Sequence, residues 1–254
     1  MMHVETFGAG RNVVLVHGWG LHGGVWRDLA QQLADSFRVI VPDLPGHGRS
    51  HHADSAFTLE ALAEAVQRHA TGPAVWIGWS LGALVALTAA LRVPTAVERL
   101  MLIGATPRFV QAPDWPQAMA PETLAQFARE LETDYRGTLA RFLSLQAGEG
   151  EAGRETVRRL RAVLAEGGDP APAALRVGLR LLAETDLRAR LAEVNVPTLV
   201  LHGGRDRLTP PGAGEYLATH LPRAQLTLIS PAGHAPFLSH PEETWSALEP
   251  FLNV

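Results

Sequence analysis

The chain has 254 residues, a length at the upper end of one folding domain or of one domain carrying an insertion. Its 22 basic residues besides histidine, all arginine, are scattered and slightly outnumbered by 26 acidic ones, which argues against a nucleic-acid binder. The absence of cysteine excludes disulfides, thiolate zinc sites and a cysteine nucleophile.

No apolar run approaches the ~20 residues of a membrane span. Met1-Met2-His3-Val4-Glu5-Thr6-Phe7 lacks the basic region followed by an apolar stretch that a secretory signal needs. A soluble, cytoplasmic and monomeric protein is the expectation.

The first strong element is Val13-Val14-Leu15-Val16, too short for a helix and rich in β-branched residues, so it reads as a buried strand ending at His17-Gly18-Trp19-Gly20. Val25, Trp26, Leu29 and Leu33 follow at helical spacing. Phe37 to Val41 is a second strand, closed by Pro42-Asp43-Leu44-Pro45-Gly46, and Thr58 to Ala70 reads as an amphipathic helix. Ala74 to Trp79 is another apolar strand. It runs into Gly78-Trp79-Ser80-Leu81-Gly82 and then directly into an apolar, alanine-rich helix, which puts Ser80 at the apex of a sharp turn. Val97 to Gly104 gives one more strand.

From Arg108 to Ala183 only helical patterns occur. The strand–helix rhythm returns with Val196 to Gly204, a helix around Gly214 to Leu221, the strand Ala224 to Ile229 and a last helix over Pro241 to Leu252. Short buried strands alternating with helices predict an α/β fold, with a mostly parallel sheet covered on both faces. The expected organisation is a core over residues 1–107 and 186–254, interrupted by an all-helical cap over 108–185.

A serine hydroxyl is a poor nucleophile until a base takes its proton, and histidine does this best when an acid fixes its tautomer. Two later strands supply both groups: one runs into His202-Gly203-Gly204-Arg205-Asp206, the other into Ser230-Pro231-Ala232-Gly233-His234. Ser80, Asp206 and His234 therefore share the carboxyl edge of the sheet, where open α/β sheets bind ligands. Asp43 also follows a strand and is the rival acid, although it precedes the serine in a turn-forming segment. Attack by Ser80 needs donors for the developing oxyanion. The N–H of Leu81, at the start of a helix, and the N–H of Trp19 are the candidates. Histidines 17, 22, 47, 51, 52 and 202 show no metal-ligand spacing, and neither a metal nor another cofactor is expected.

These residues resemble the α/β-hydrolase superfamily, in which G-x-S-x-G forms the nucleophile elbow and the acid and histidine follow the serine. More narrowly, the sequence is similar to the pimeloyl-[acyl-carrier protein] methyl ester esterases, carboxylesterases of biotin synthesis. Leu15 to Leu21, Trp76 to Gly82, Arg141 to Gln146 and Ala232 to Phe237 carry that likeness. The resemblance implies a methyl-capped dicarboxylic acyl chain held as a thioester on acyl carrier protein, cut at the methyl ester. It implies an acyl site formed by Trp19, Ser80, Leu81, Phe142, Leu143, Ser144, Leu145, Gln146 and His234. It further implies carrier-protein docking by the cap arginines Arg141, Arg154 and Arg158, while Gly137 stands where the family has another arginine. Arg154, Arg158 and Arg161 recur at i, i+4 and i+7 on one helix face, a pattern also consistent with a solvated face relieved by Glu151 and Glu155. A general short-chain esterase, lactonase or carbon–carbon bond hydrolase with the same triad remains open from the residues alone, as does a non-catalytic binding protein on this fold.

Overall fold

The computed structural model describes residues 2–51, 57–146 and 150–253; of the histidines noted above, His52 lies outside the described residues. Seven strands form the sheet: β1 Val4–Phe7, β2 Arg11–Val16, β3 Phe37–Pro42, β4 Ala74–Trp79, β5 Val97–Ile103, β6 Thr198–Gly203 and β7 Ala224–Ile229. Their spatial order is β1-β3-β2-β4-β5-β6-β7, with β1 antiparallel to β3 and every other pairing parallel.

The helices are α1 Arg27–Leu33, α2 Leu59–Gln67, α3 Leu81–Arg92, α4 Pro121–Thr133, α5 Tyr135–Leu145, α6 Gly150–Gly167, α7 Pro172–Glu184, α8 Pro211–His220, α9 Pro236–Ser239 and α10 Pro241–Leu252. Proline opens α4, α7, α8, α9 and α10, where its missing N–H has no intrahelical acceptor to lose. Thr58 caps α2 by accepting from the Ala61 N–H.

The central strands carry continuous apolar runs, Val13–Val16, Ala74–Ile77, Leu100–Ile103 and Leu199–Leu201, because both faces are covered. Alternate residues part to opposite sides. Val13, Leu15, Val75, Ile77, Met101 and Leu199 pack with Trp26, Leu33, Leu248 and Phe251. Val14, Val16, Trp76, Leu100, Leu102 and Val200 pack with Leu62, Val66, Leu84 and Leu217. Helix α3 is buried along nearly its whole length, which explains an alanine-rich sequence without a polar face.

Two elements differ from the sequence reading. Strand β1 was not expected, because it is a short edge strand whose mixed exposure leaves no apolar run. The expected helix over Val25 to Leu33 begins instead as a 3₁₀ turn over Gly23–Trp26, started by the His22 side chain accepting from the Gly24 N–H.

The chain between β5 and β6 carries α4, α5, α6 and α7 and, among its described residues, isolated bridges such as Val110 to Met119 but no strand. These helices rest on the loops at the carboxyl edge of the sheet. The Trp19 indole donates to Leu175 O at 2.9 Å, Ala171 N–H to Gly46 O at 2.7 Å, and His22 Nε2 to Val163 O at 2.6 Å. Arg159 reaches Leu238 O at 3.0 Å and pairs with Asp28. Among the described residues no helix is long and apolar enough to cross a membrane.

Candidate active site

Strand β4 turns into α3 through Ser80, the one non-glycine described residue with positive φ (56°, ψ −117°). Such a backbone costs on the order of 1–3 kcal/mol and persists where its surroundings hold it. Here Ser80 N–H donates to Ile103 O at 3.0 Å, while Ser80 O accepts from Ala83 N–H. The elbow glycines are required by contact. A Cβ on Gly78 would strike the Gly82 carbonyl, and one on Gly82 would strike the Val16 carbonyl. The β2–β4 boundary is also where the chain's direction across the sheet reverses, and the serine sits at its carboxyl end.

The loop after β7 brings His234 to the same edge. The Trp79 indole donates to His234 O at 2.8 Å, Gln146 O accepts His234 N–H at 3.0 Å, and Gly104 lies against the ring. His234 Nδ1 lies 2.7 Å from Asp206 Oδ2. Donation there leaves the lone pair on Nε2, which is buried and has no partner among the described residues. That is the nitrogen a general base uses.

Asp206 is held from several sides. Oδ1 accepts the N–H groups of Leu208 and Thr209 at 2.9 and 3.0 Å, and Oδ2 accepts the Thr209 hydroxyl at 2.7 Å. Burial alone would raise its pKa. The charge and hydrogen bond of His234, then His202 and the Thr209 N–H, outweigh burial and hold the carboxyl below its usual range.

Asp43, the rival acid, has other partners. Its oxygens accept the N–H groups of Gly23 at 2.7 Å and Arg49 at 2.9 Å, and its neighbouring imidazole is His22. Around it, His17 Nε2 accepts Leu44 N–H at 2.9 Å, and His47 Nε2 accepts Gly20 N–H at 3.4 Å. These bonds fix the Gly18-Trp19-Gly20 loop from below. Burial, then the neighbouring His47, pushes His17 down to about 3, and burial pushes His47 down to about 4.

Neither the Trp19 N–H nor the Leu81 N–H has a protein acceptor among the described residues. The Trp19 ring meets Phe142 edge-on, with centroids 4.6 Å apart. Phe142, Leu143 and Gln146 are buried, Leu145 is half-buried, and Ser144 is exposed with its hydroxyl turned back to Ala140 O. The three arginines divide. Arg141 pairs with Glu130, Arg158 pairs with Glu155 at 2.6 Å, and Arg154 has no ion-pair partner among the described residues. Gly137 sits where its N–H bonds the Asp134 cap of α5 at 2.9 Å, and a Cβ there would collide with that carboxylate. Among the described residues no group of three His, Asp or Glu side chains could hold a metal.

The residues that sequence reasoning missed are Thr209 and His202. Their signal was weak, because a threonine three residues after an aspartate and a histidine at a strand end are common in turns.

A family model for the alpha/beta hydrolase fold matches residues 11–241. The chain belongs to the α/β-hydrolase family. Among solved structures, this α/β hydrolase superposes on an esterase from Exiguobacterium antarcticum with a TM-score of 0.91 at 23% identity, covering 100% of this chain and 96% of that one. It superposes on a thermophilic esterase from Thermogutta terrifontis with a TM-score of 0.84 at 29% identity, covering 99% and 92%. A curated relative from Stenotrophomonas maltophilia (strain K279a), named pimeloyl-[acyl-carrier protein] methyl ester esterase, is 47% identical over 251 residues, 99% of this chain and 96% of that one.

Proposed function

We propose that this α/β hydrolase is a serine carboxylesterase that hydrolyses the methyl ester of pimeloyl-acyl carrier protein methyl ester, releasing methanol and pimeloyl-acyl carrier protein for biotin synthesis. The observation that carries the chemistry is the Asp206–His234 hydrogen bond of 2.7 Å, which leaves a free Nε2 at the edge where Ser80 stands. The full-length identity of 47% to a curated esterase of that name supports the substrate.

In this reading His234 Nε2 takes the Ser80 proton as Oγ attacks the ester carbonyl. The oxyanion receives the N–H groups of Trp19 and Leu81, and losing one such donor typically costs about 3 kcal/mol in barrier. His234 then returns the proton to the methoxide leaving group. Water, activated by the same imidazole, releases the acid and restores Ser80. Asp206 stays ionised throughout.

The insertion over residues 108–185 acts as a cap, with Phe142 and Gln146 on its inner side and Phe142 against Trp19 of the loop after β2. Acyl carrier protein, acidic and carrying a phosphopantetheine arm, docks on the outer side at Arg141, Arg154 and Arg158. Arg154 is open to it, and the exposed pairs of Arg141 and Arg158 exchange partners at little cost. The enzyme acts as a cytoplasmic monomer.

The decisive assay compares methyl pimeloyl-acyl carrier protein with free methyl pimelate and p-nitrophenyl esters. The expected result is preferential cleavage of the carrier-bound methyl ester with the thioester left intact. Equal turnover of the free ester would overturn carrier docking and leave a general esterase.

A further inference from the structure

Beside the Asp206–His234 pair lies a second imidazole that the mechanism does not use. His202, the fifth residue of β6, is fully buried. Its Nε2 lies 2.6 Å from Thr209 O. A carbonyl can only accept, so Nε2 carries the proton and Nδ1 carries the lone pair. Nδ1 has no partner among the described residues, and it faces α8, where a Cβ on Gly214 would come within 2.7 Å of it. A lone imidazole nitrogen buried without a donor is costly, and an apolar residue would avoid that cost.

The arrangement on the proton-bearing side supplies a reason. The same Nε2 approaches Asp206 Oδ2 to 3.4 Å while its proton goes to Thr209 O, and Oδ2 receives His234 Nδ1–H and the Thr209 hydroxyl. Thr209 in turn grips both oxygens of Asp206, through its N–H and its hydroxyl. His202 holds Thr209, Thr209 holds Asp206, and Asp206 holds His234.

We propose that His202 is a positioning residue: its Nε2–H locks the Thr209 carbonyl, so that Thr209 keeps its N–H and hydroxyl on Asp206 and limits how strongly Asp206 pulls on His234. This rests on the triad reading given above. The ionisable groups acting on His202 are Asp206, His234 and Glu215 of α8, and burial outweighs the two carboxylates so that the ring stays neutral. Held by that neutral ring, the Thr209 hydroxyl draws on the Oδ2 charge without any positive charge being added. Removing His202 loosens the grip of Thr209 on Asp206, leaves more of the Oδ2 charge to His234, makes the imidazolium easier to form, and moves the acid limb of the rate profile to higher pH.

The test is the pH profile of kcat/KM for a p-nitrophenyl ester, measured on the full-length enzyme. His202→Phe is expected to lower kcat several-fold and to move the acid limb up by roughly half a pH unit. His202→Gln, which returns an amide donor near the Nε2 position, should bring the limb back. Gly214→Ala should move it in the same direction as His202→Phe by displacing the ring. A lowered kcat with the limb unmoved in both His202→Phe and Gly214→Ala would overturn the proposal, since that is the signature of lost packing alone. If His202→Phe does not fold, Gly214→Ala and the ring-nitrogen NMR spectrum of ¹⁵N-histidine-labelled wild type still decide. The spectrum should show His202 neutral with its proton on Nε2, and a proton on Nδ1 would overturn the assignment. A flat wild-type profile would instead sink His234 as the base, and the NMR spectrum would then decide His202 by itself.

Discussion

Two buried histidine–aspartate clusters sit at the carboxyl edge of the sheet, and they are used differently. Under the Trp19 loop, His17 and His47 spend both ring nitrogens on backbone partners, and Asp43 gives its oxygens to the N–H groups of Gly23 and Arg49. Beyond β6 and β7, Asp206 presents Oδ2 to His234, whose Nε2 is left without a partner. The first cluster is saturated and can only hold a loop. The second leaves one nitrogen without a partner among the described residues, and the proposed mechanism uses it as the base. Residue types and strand-end placement are alike in the two clusters. Reactivity follows from which hydrogen-bonding atom is left over.

The comparison breaks most sharply at the reserved nitrogen. Ser80→Ala or His234→Ala is expected to lower kcat on the order of a millionfold with the fold intact, as read by ester hydrolysis beside a circular-dichroism melt. Next come the two acids. Asp206→Asn should cost about 10⁴ in kcat by favouring the wrong tautomer of His234. Asp43→Asn should leave kcat within a small factor yet lower stability by about 1–3 kcal/mol, because an amide N–H₂ then faces backbone N–H groups in a buried site. Denaturant titration of both variants separates the effects. Equal losses of kcat would erase the distinction drawn above.

The saturated cluster also sets an acid limit on stability. His17 and His47 are held neutral, at about 3 and about 4, against about 6.5 in an unfolded chain. Below about 6.5 the unfolded state takes up protons that the folded state refuses. Stability is therefore fully present above that pH and falls as pH drops toward 4, by up to about 1.4 kcal/mol per pH unit for each group. Melting temperature measured from pH 7 to pH 4.5 should decline, and His47→Gln should flatten the decline. The smallest effect expected is that of Trp19→Phe. It keeps the backbone N–H and loses the 2.9 Å bond to Leu175 O, a change of about 1 kcal/mol in stability with a modest rise in KM.

Much of this molecule is readable from its residues. Val13–Val16, Ala74–Trp79 and Thr198–Leu201 announce buried strands because both faces of a parallel sheet are covered, and burial leaves an apolar run in the sequence. Gly78 and Gly82 around Ser80 announce a turn too tight for side chains, and the contacts at Gly82 O and Val16 O explain why. Strand β1 escapes because an edge strand with mixed exposure leaves no such trace. The difference between Arg154 and Arg158 escapes for another reason: whether an exposed arginine is paired depends on which carboxylate its rotamer reaches.

The sequence by itself determined the buried strands, the elbow, and an order in which a serine, an acid and a histidine reach one sheet edge. These are local facts, set by periodicity and burial. The tertiary structure decided that Asp206 and not Asp43 meets His234, and that Thr209 and His202 stand behind that carboxylate. Asp206 and His234 lie on loops after different strands, and only the assembled sheet brings carboxylate and imidazole to 2.7 Å, while the fold of the loop after β6 sets which atoms of Thr209 and His202 turn inward.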